Sequence, residues 1–426
     1  LLDFTDRSAR VLYTSPWQLQ GPAVDPSGRR VAVLEGWASD RGLVAGTIRL
    51  IDIESGDSRE LAADRLSDLA SVRWRDADSL WCAGWSAMGS LHGIVRLDGS
   101  ASIERDEAVL GPSSFLAQVL PSPDQAALAA IRETVGEPPE VVLRGVANPA
   151  WQPLTSFNAG HAAAFPDYPE VRQVAWRGAD DLPLEGLLLL PPRRREPSAM
   201  IVCVHGGPTW SVKHAYDPGH ALPLAAAGYP VFLPNYRGSV GWGQDFTRKN
   251  LADPGGAEFD DILRGIDWCI AAGIADPARI GITGVSYGGY MTAWAVATSD
   301  RFAAAVMISG ISDLLSCHYA CNHDFCAIML GGALTDDAVR RLYIERSPLV
   351  HVAHAVTPTM ILHGRDDLCT PLSQAEEFHR ALADHGVATE LVAYPREGHG
   401  FQERGHHHDA WQRAIAWFDR HLQENR

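Results

Sequence analysis

Arg279-Ile280-Gly281-Ile282-Thr283-Gly284-Val285-Ser286-Tyr287-Gly288-Gly289-Tyr290 is the stretch that decides the fold. An apolar β run over Arg279–Thr283 passes through a glycine-flanked serine into a helical pattern over Tyr287–Thr298. The G-x-S-x-G spacing, placed between a strand and a helix, is that of a sharp turn lifting a serine hydroxyl clear of a sheet. Small residues at 284 and 288 let strand and helix approach. The competing reading is a glycine-rich turn with a bystander serine, and the strand-turn-helix context argues against it.

Outward from this turn, strands and helices alternate. Strands are expected at Met200–Val204, Pro230–Leu233, Ala303–Ile308, Val356–Leu362 and Thr389–Tyr394. Helices are expected at Ala221–Ala227, Asp260–Ala272, Gln374–His385 and Ala410–Leu422. A hairpin is expected over Val171–Leu190 around Gly178-Ala179-Asp180-Asp181, followed by an exposed basic turn, Pro191-Pro192-Arg193-Arg194-Arg195. Nearly all-apolar strands alternating with helices imply a mostly parallel, doubly wound sheet covered on both faces. With a serine elbow at its centre, that is an α/β-hydrolase fold, expected over residues 166–426.

Residues 1–165 read differently. Short alternating runs such as Arg30-Val31-Ala32-Val33-Leu34 and Thr47-Ile48-Arg49-Leu50-Ile51 are separated by turns. Turns at Asp25-Pro26-Ser27-Gly28, Arg75-Asp76-Ala77-Asp78 and Ser122-Pro123-Asp124-Gln125 each precede a strand, and Pro26, Asp76 and Pro123 are spaced by 50 and 47 residues. A period near 40–50 residues with several strands per unit indicates a partial β-propeller of three to four blades; a β-sandwich is the alternative. Propellers close into rings of 4–8 blades, so this all-β domain is expected to be completed by an N-terminal companion fragment, another chain or a homo-oligomeric partner. A polar connection over 161–175, with Pro166, Asp167 and Pro169, joins the two domains.

The formal net charge of −16 argues against nucleic acid and anionic membrane as partners. No run of about 20 apolar residues is present, and residues 1–20 lack the layout of a secretory signal. Seven cysteines, several in apolar runs (Cys82, Cys203, Cys269), read as buried free thiols. The expectation is a cytoplasmic protein.

A serine hydroxyl needs a base, and the hydrolase fold supplies an acid and then a histidine after the serine. Met360-Ile361-Leu362 runs into His363-Gly364-Arg365-Asp366-Asp367, and Leu391-Val392-Ala393-Tyr394 into Glu397-Gly398-His399-Gly400-Phe401. Position points to His399 as base and Asp367 as its orienting acid, with Asp366 in competition. His406, His407 and His408 read as a solvated run. Oxyanion donors are expected from the backbone of Tyr287 and of Gly207, the latter in the loop His205-Gly206-Gly207-Pro208.

Together with Asn235-Tyr236-Arg237-Gly238-Ser239 and Gly241-Trp242-Gly243, these motifs resemble the prolyl oligopeptidase family, most closely its acylaminoacyl-peptidase-like branch. The resemblance spans about 170–426. It implies a preceding β-propeller, the triad Ser286–Asp367–His399, and oxyanion donors at Gly207 and Tyr287. It also implies a serine peptidase that cuts short peptides or N-acylated aminoacyl substrates through an acyl-enzyme, without cofactor or metal. An apolar substrate pocket is expected from Ile311, Leu314, Phe325 and Met329. Members of this branch often carry Arg two residues after the acid; here that position is Cys369. Cys317, His318, Cys321, His323 and Cys326 could hold a metal or a disulfide, but their spacing matches no common zinc pattern. Two other readings remain open: an amidase or esterase acting on a specialised metabolite such as an aminoacylated antibiotic, and a non-catalytic scaffold.

Overall fold

A computed structural model describes residues 2–422 except 4, 6, 40, 41, 62–65, 114, 146, 147, 161–167 and 218. Residues 161–167 of the expected polar connection lie outside the described residues, and from Glu170 onward it is strand.

The first unit is built of stacked antiparallel sheets. Gln18–Val24, Arg30–Gly36, Thr47–Asp52 and Ser58–Leu61 form one four-stranded meander. Leu69–Trp74, Ser79–Ser86, Gly89–Arg96 and Ala101–Asp106 form the second. Ala127–Glu133, Glu140–Gly145 and Asn148–Pro153, with two short strands at Val109–Leu110 and Leu120–Pro121, form the third. These are three blades of a β-propeller rather than the two sheets of a sandwich. The repeated turns join the first and second strands of each blade, and their short polar residues explain why. Asp25 accepts the N–H groups of Arg29 and Arg30 at 2.8 and 3.0 Å, and Gly28 supplies a φ of +75°. Asp76 accepts the Asp78 N–H at 2.9 Å, and Asp124 accepts the Ala126 N–H at 3.1 Å. Between blades lie apolar layers: Leu34, Ile48, Leu61, Leu80 and Val95 in one, Trp85, Val109, Leu110 and Val142 in the next.

The second unit centres on an eight-stranded sheet. Its order is Glu170–Arg177, Pro183–Leu190, Val231–Asn235, Ser198–Val204, Ala275–Val285, Ala304–Ile308, Thr359–Gly364 and Thr389–Tyr394. The first two pairings are antiparallel and the rest parallel. Helix Tyr287–Thr298 is buried along nearly its whole length, which suits its Ala- and Gly-rich sequence. Register sets the site. Val204 pairs with Gly284, Val285 with Ile308, and Gly364 with Tyr394. The loops after these strands therefore open on one edge of the sheet, where ligands of parallel α/β sheets bind.

Three expectations need correction. The last helix runs over Arg404–Leu422, six residues earlier than its apolar pattern indicated. The cause is Glu397, whose buried carboxylate accepts the N–H groups of Gln402 and Glu403 at 2.7 and 2.9 Å and so fixes the chain entering that helix. His406 is consequently half-buried, with Nδ1 2.8 Å from Glu397 Oε1, rather than part of a solvated run. A single cut near residue 165 also does not describe the units, because Lys213–Tyr216 and Val240–Arg248 pack with the blades. Gln244 Oε1 accepts the Trp37 N–H at 3.0 Å, and its Nε2 donates to the Ala45 carbonyl at 3.0 Å.

Candidate active site

Ser286 occupies a backbone conformation that side chains rarely adopt, with φ 61° and ψ −119°. The glycines around it are dictated by contact distances. A Cβ on Gly284 would stand 2.6 Å from the Gly288 and Val204 backbones, and one on Gly288 would stand 2.1 Å from the Val204 carbonyl oxygen. The turn is held by the Ser286 N–H, which donates to the Ile308 carbonyl at 3.0 Å.

Three residues separated by up to 113 positions converge here. His399 Nε2 lies 2.8 Å from Ser286 Oγ, and its Nδ1 lies 2.9 Å from Asp367 Oδ2. Asp367 is buried, whereas Asp366 is exposed. The Asp367 carboxylate accepts the N–H groups of Cys369 and Thr370 at 2.8 and 2.9 Å on Oδ1. Its Oδ2 faces the Thr370 hydroxyl at 2.9 Å and His363 Nε2 at 3.5 Å. Burial by itself would push this carboxyl up. His363, His399 and the Thr370 N–H outweigh burial and hold it well below the usual carboxylate range. A carboxylate can only accept, so His399 Nδ1 carries a proton and the Nε2 lone pair faces the serine. His399 is itself raised: burial pulls it down, but Asp367 and then Cys369 favour the imidazolium.

The loop carrying Gly207 runs against the elbow. A Cβ on Gly206 would stand 3.0 Å from the Val285 carbonyl oxygen and 3.3 Å from Ser286 Cβ. Gly207 has φ +108°, and a Cβ there would meet Thr209 N at 2.7 Å. His205, stacked on Tyr236 at 4.4 Å and bonded to Ser239 Oγ at 2.9 Å, anchors the loop's start. Tyr287 is fully buried and its hydroxyl donates to Glu258. Its side chain is committed inward, leaving the main chain as the group that could serve an oxyanion.

Residues 215–425 match the family model described as the prolyl oligopeptidase family. Over these residues the chain belongs to this family. The uncharacterized peptidase YuxL of Bacillus subtilis is 35% identical over 275 residues, covering 62% of this chain and 40% of that protein. Among solved structures, an acylaminoacyl peptidase of Pyrococcus horikoshii superposes with a TM-score of 0.78 at 25% identity, covering 95% of this chain and 64% of that one. A puromycin-hydrolyzing peptidase of Mycobacterium tuberculosis superposes with a TM-score of 0.72 at 23% identity, over 97% of this chain and 71% of that one. The chain thus spans well under half the length of its matched curated relative. The propeller-plus-hydrolase architecture is the one these family structures share.

Ile311, Leu314, Phe325 and Met329 are all buried, and Phe325 lies edge-on to Tyr287 with ring centroids 6.1 Å apart. They are packed apolar side chains with little surface left for a substrate to touch. Cys317, Cys321 and Cys326 are free thiols. Among the described residues, the His, Cys, Asp and Glu group with ligand atoms within 4.8 Å of one another is Glu397, Glu403 and His406, not this segment. No helix among the described residues is long and apolar enough to cross a membrane.

Sequence reading missed four contributors. Thr370 and His363 surround Asp367. Glu258 receives the Tyr287 hydroxyl, and burial pushes its carboxyl up to about 7 despite donors from Tyr287, Gly255 and Asn250. His323 Nε2 lies 2.9 Å from Cys369 Sγ. His363 lay inside the quoted acid motif, and Thr370 stands three residues beyond Asp367; Glu258 and His323 carried no local signal for these contacts, because their partners lie 29 and 46 residues away.

Proposed function

We propose that this chain is a serine peptidase that hydrolyses short peptides or N-acylated aminoacyl substrates through an acyl-enzyme on Ser286. The observation that carries this reading is the relay from buried Asp367 through His399 to Ser286, at 2.9 and 2.8 Å. His399 Nε2 takes the hydroxyl proton as Oγ attacks the substrate carbonyl, and Asp367 stabilises the imidazolium that results. The carbonyl oxygen, now negative, is received by the N–H groups of Tyr287 and Gly207. His399 returns the proton to the leaving amine, and a water activated by the same nitrogen hydrolyses the ester. Family membership and the likeness to an acylaminoacyl peptidase support the substrate class.

A fluorophosphonate probe should label the chain at Ser286, and Ser286→Ala should abolish that labelling. Labelling that persists in the variant would sink the assignment. A panel of N-acyl anilides, free aminoacyl anilides and esters then fixes the substrate class: turnover of the free aminoacyl anilides alone would favour an aminoacyl amidase, and a flat response a scaffold.

We infer also that further blades, from the same polypeptide or another chain, complete the propeller. Three blades do not close a ring, and Leu19, Val24, Phe115 and Leu120 are exposed on them. Intact mass and native size measurements test this; a homogeneous 46.2 kDa monomer would count against it. The free thiols support a reducing compartment, the cytoplasm.

A further inference from the structure

We propose that Cys369 is a modification site, a nucleophilic thiol paired with His323 that hydrogen peroxide oxidises, and that its oxidation disables the neighbouring Ser286–His399 pair. The second half of this inference rests on the hydrolase reading above; the first does not.

The geometry defines the pair. Cys369 follows Asp367 by two residues, and its N–H donates to Asp367 Oδ1 at 2.8 Å, which fixes the backbone at the edge of the site. The adjacent Leu368 carbonyl accepts the Asn322 N–H at 2.8 Å, docking the loop that carries His323. Cys369 Sγ then lies 2.9 Å from His323 Nε2. The tautomer follows from the other ring nitrogen. His323 Nδ1 is 3.1 Å from the Phe325 N–H, a group that can only donate. Neutral His323 therefore carries its proton on Nε2 and donates it towards sulfur. A donor aimed at sulfur favours the thiolate over the thiol. His399 also interacts with the same sulfur.

The other cysteines are the contrast. Burial pushes Cys82, Cys203 and Cys269 up to about 12. Cys321 is also raised, first by its bond with Cys317 and then by burial. Burial would push Cys369 up as well, but the bonds from His323 and His399 overcome it and bring the thiol below its ordinary value. Cys369 is also part-exposed, unlike the fully buried Cys317 and Cys326. Thiolate character and access together select the cysteine that reacts.

In the oxidation, the thiolate attacks one oxygen of hydrogen peroxide. An S–O bond forms as the O–O bond breaks, sulfur gives up two electrons, and the departing hydroxide takes a proton to leave as water. Cys369 becomes a sulfenic acid. The added oxygen is placed beside His399, where it competes for the imidazole and narrows the approach to Ser286.

The test uses the intact chain. Iodoacetamide at neutral pH, followed by peptide mass spectrometry, should alkylate Cys369 at least about ten times faster than Cys317, Cys321 or Cys326. His323→Ala should slow the Cys369 reaction by about the same factor. Hydrogen peroxide followed by dimedone should leave the adduct on Cys369. In parallel, fluorophosphonate labelling of Ser286 should fall in step with peroxide treatment. In Cys369→Ser and Cys369→Ala, each measured against its own untreated control, it should not fall. Alkylation of Cys369 no faster than of its neighbours would overturn the site. Loss of Ser286 labelling at the wild-type rate in both Cys369 variants would overturn the coupling. A chain whose Ser286 never labels, even untreated, would defeat the hydrolase reading while leaving the alkylation ranking to decide the site.

Discussion

Asp367 in the hydrolase unit and Asp68 in the propeller unit are buried to almost the same degree, 3% and 4% exposed, and their acidities move in opposite directions. Asp68 Oδ2 accepts the Gly243 N–H at 2.6 Å, but Oδ1 has no hydrogen-bond partner. Burial raises its carboxyl to about 6, in spite of the Gly243 and Gly241 N–H groups and the Lys213 charge. Asp367 meets two N–H groups, a hydroxyl and two imidazoles, and is held low. Burial is therefore not what makes an aspartate useful; the number of donors gathered around it is. The hydrolase unit has assembled a site for a permanent anion. The propeller unit tolerates one, with a buried lysine beside it that is itself pulled down by burial to about 7.

The largest expected effect breaks this comparison in activity. Asp367→Asn should lower kcat by about 10⁴-fold, because an amide can present an N–H to His399 and impose the wrong tautomer. Asp68→Asn should leave kcat within about twofold in the folded protein, since its carboxylate supports no reacting group. Steady-state hydrolysis of an anilide found in the substrate panel measures both. Comparable losses would mean that Asp367 only supports the fold.

A smaller effect breaks it in stability. Asp68 and Lys213 both cost stability when charged. Asp68 has a folded pKa above its unfolded value, so stability falls as pH rises from about 4 to about 6. Lys213, with a folded pKa near 7, binds fewer protons folded than unfolded up to about pH 10, so stability recovers over that interval. The ionised pair therefore costs most near pH 6–7. Asp68→Asn/Lys213→Met replaces the pair, and Met keeps an apolar, polarizable chain where Lys213 Nζ lies 4.4 Å from the Trp85 ring centroid. The double variant should be more stable than wild type at neutral pH by about 1–4 kcal/mol, with the gap closing on either side. Asp367→Asn should show the reverse sign: it loses stability at neutral pH, and the loss shrinks as pH falls below the unfolded carboxylate value. Urea midpoints across about pH 2–10 give both curves; parallel curves would mean that donor number does not set the difference.

What could be read without coordinates follows the same division. The elbow, the acid loop and the histidine loop were legible because each is tied to the end of a strand whose apolar run is unmistakable. Position pointed to Asp367 with Asp366 in competition, and family resemblance favoured Asp367; the structure adds the physical reason, since one is buried among donors and the other is exposed. The blades were legible through their turns, whose Asp, Ser and Gly residues bond locally. Glu258 and His323 were not, because what distinguishes them is a partner 29 or 46 residues away. Nor was the packing of Val240–Arg248 with the blades, which depends on Gln244 reaching residues about 200 positions earlier. Local chemistry survives in a sequence; convergence does not.

The smallest effect sharpens the comparison within the hydrolase unit itself. If donors there favour a permanent anion at Asp367, the same surroundings favour a second at Cys369, and both act on His399. The base must be neutral to accept the Ser286 proton, so the acidic limb of kcat/KM reports its pKa. Of the groups around the imidazole, Asp367 and Cys369 push it up, and Asp367 remains when Cys369 is replaced. Serine keeps the size and the hydrogen bond to His323 but does not ionise. Cys369→Ser should therefore move the acidic limb to lower pH, by less than about one unit because the dominant anion is untouched. A limb that stays in place would mean that the thiol is protonated where the base titrates. Asp367 would then be the only anion His399 senses, and the pairing of Cys369 with His323 would have to act through nucleophilicity at higher pH alone.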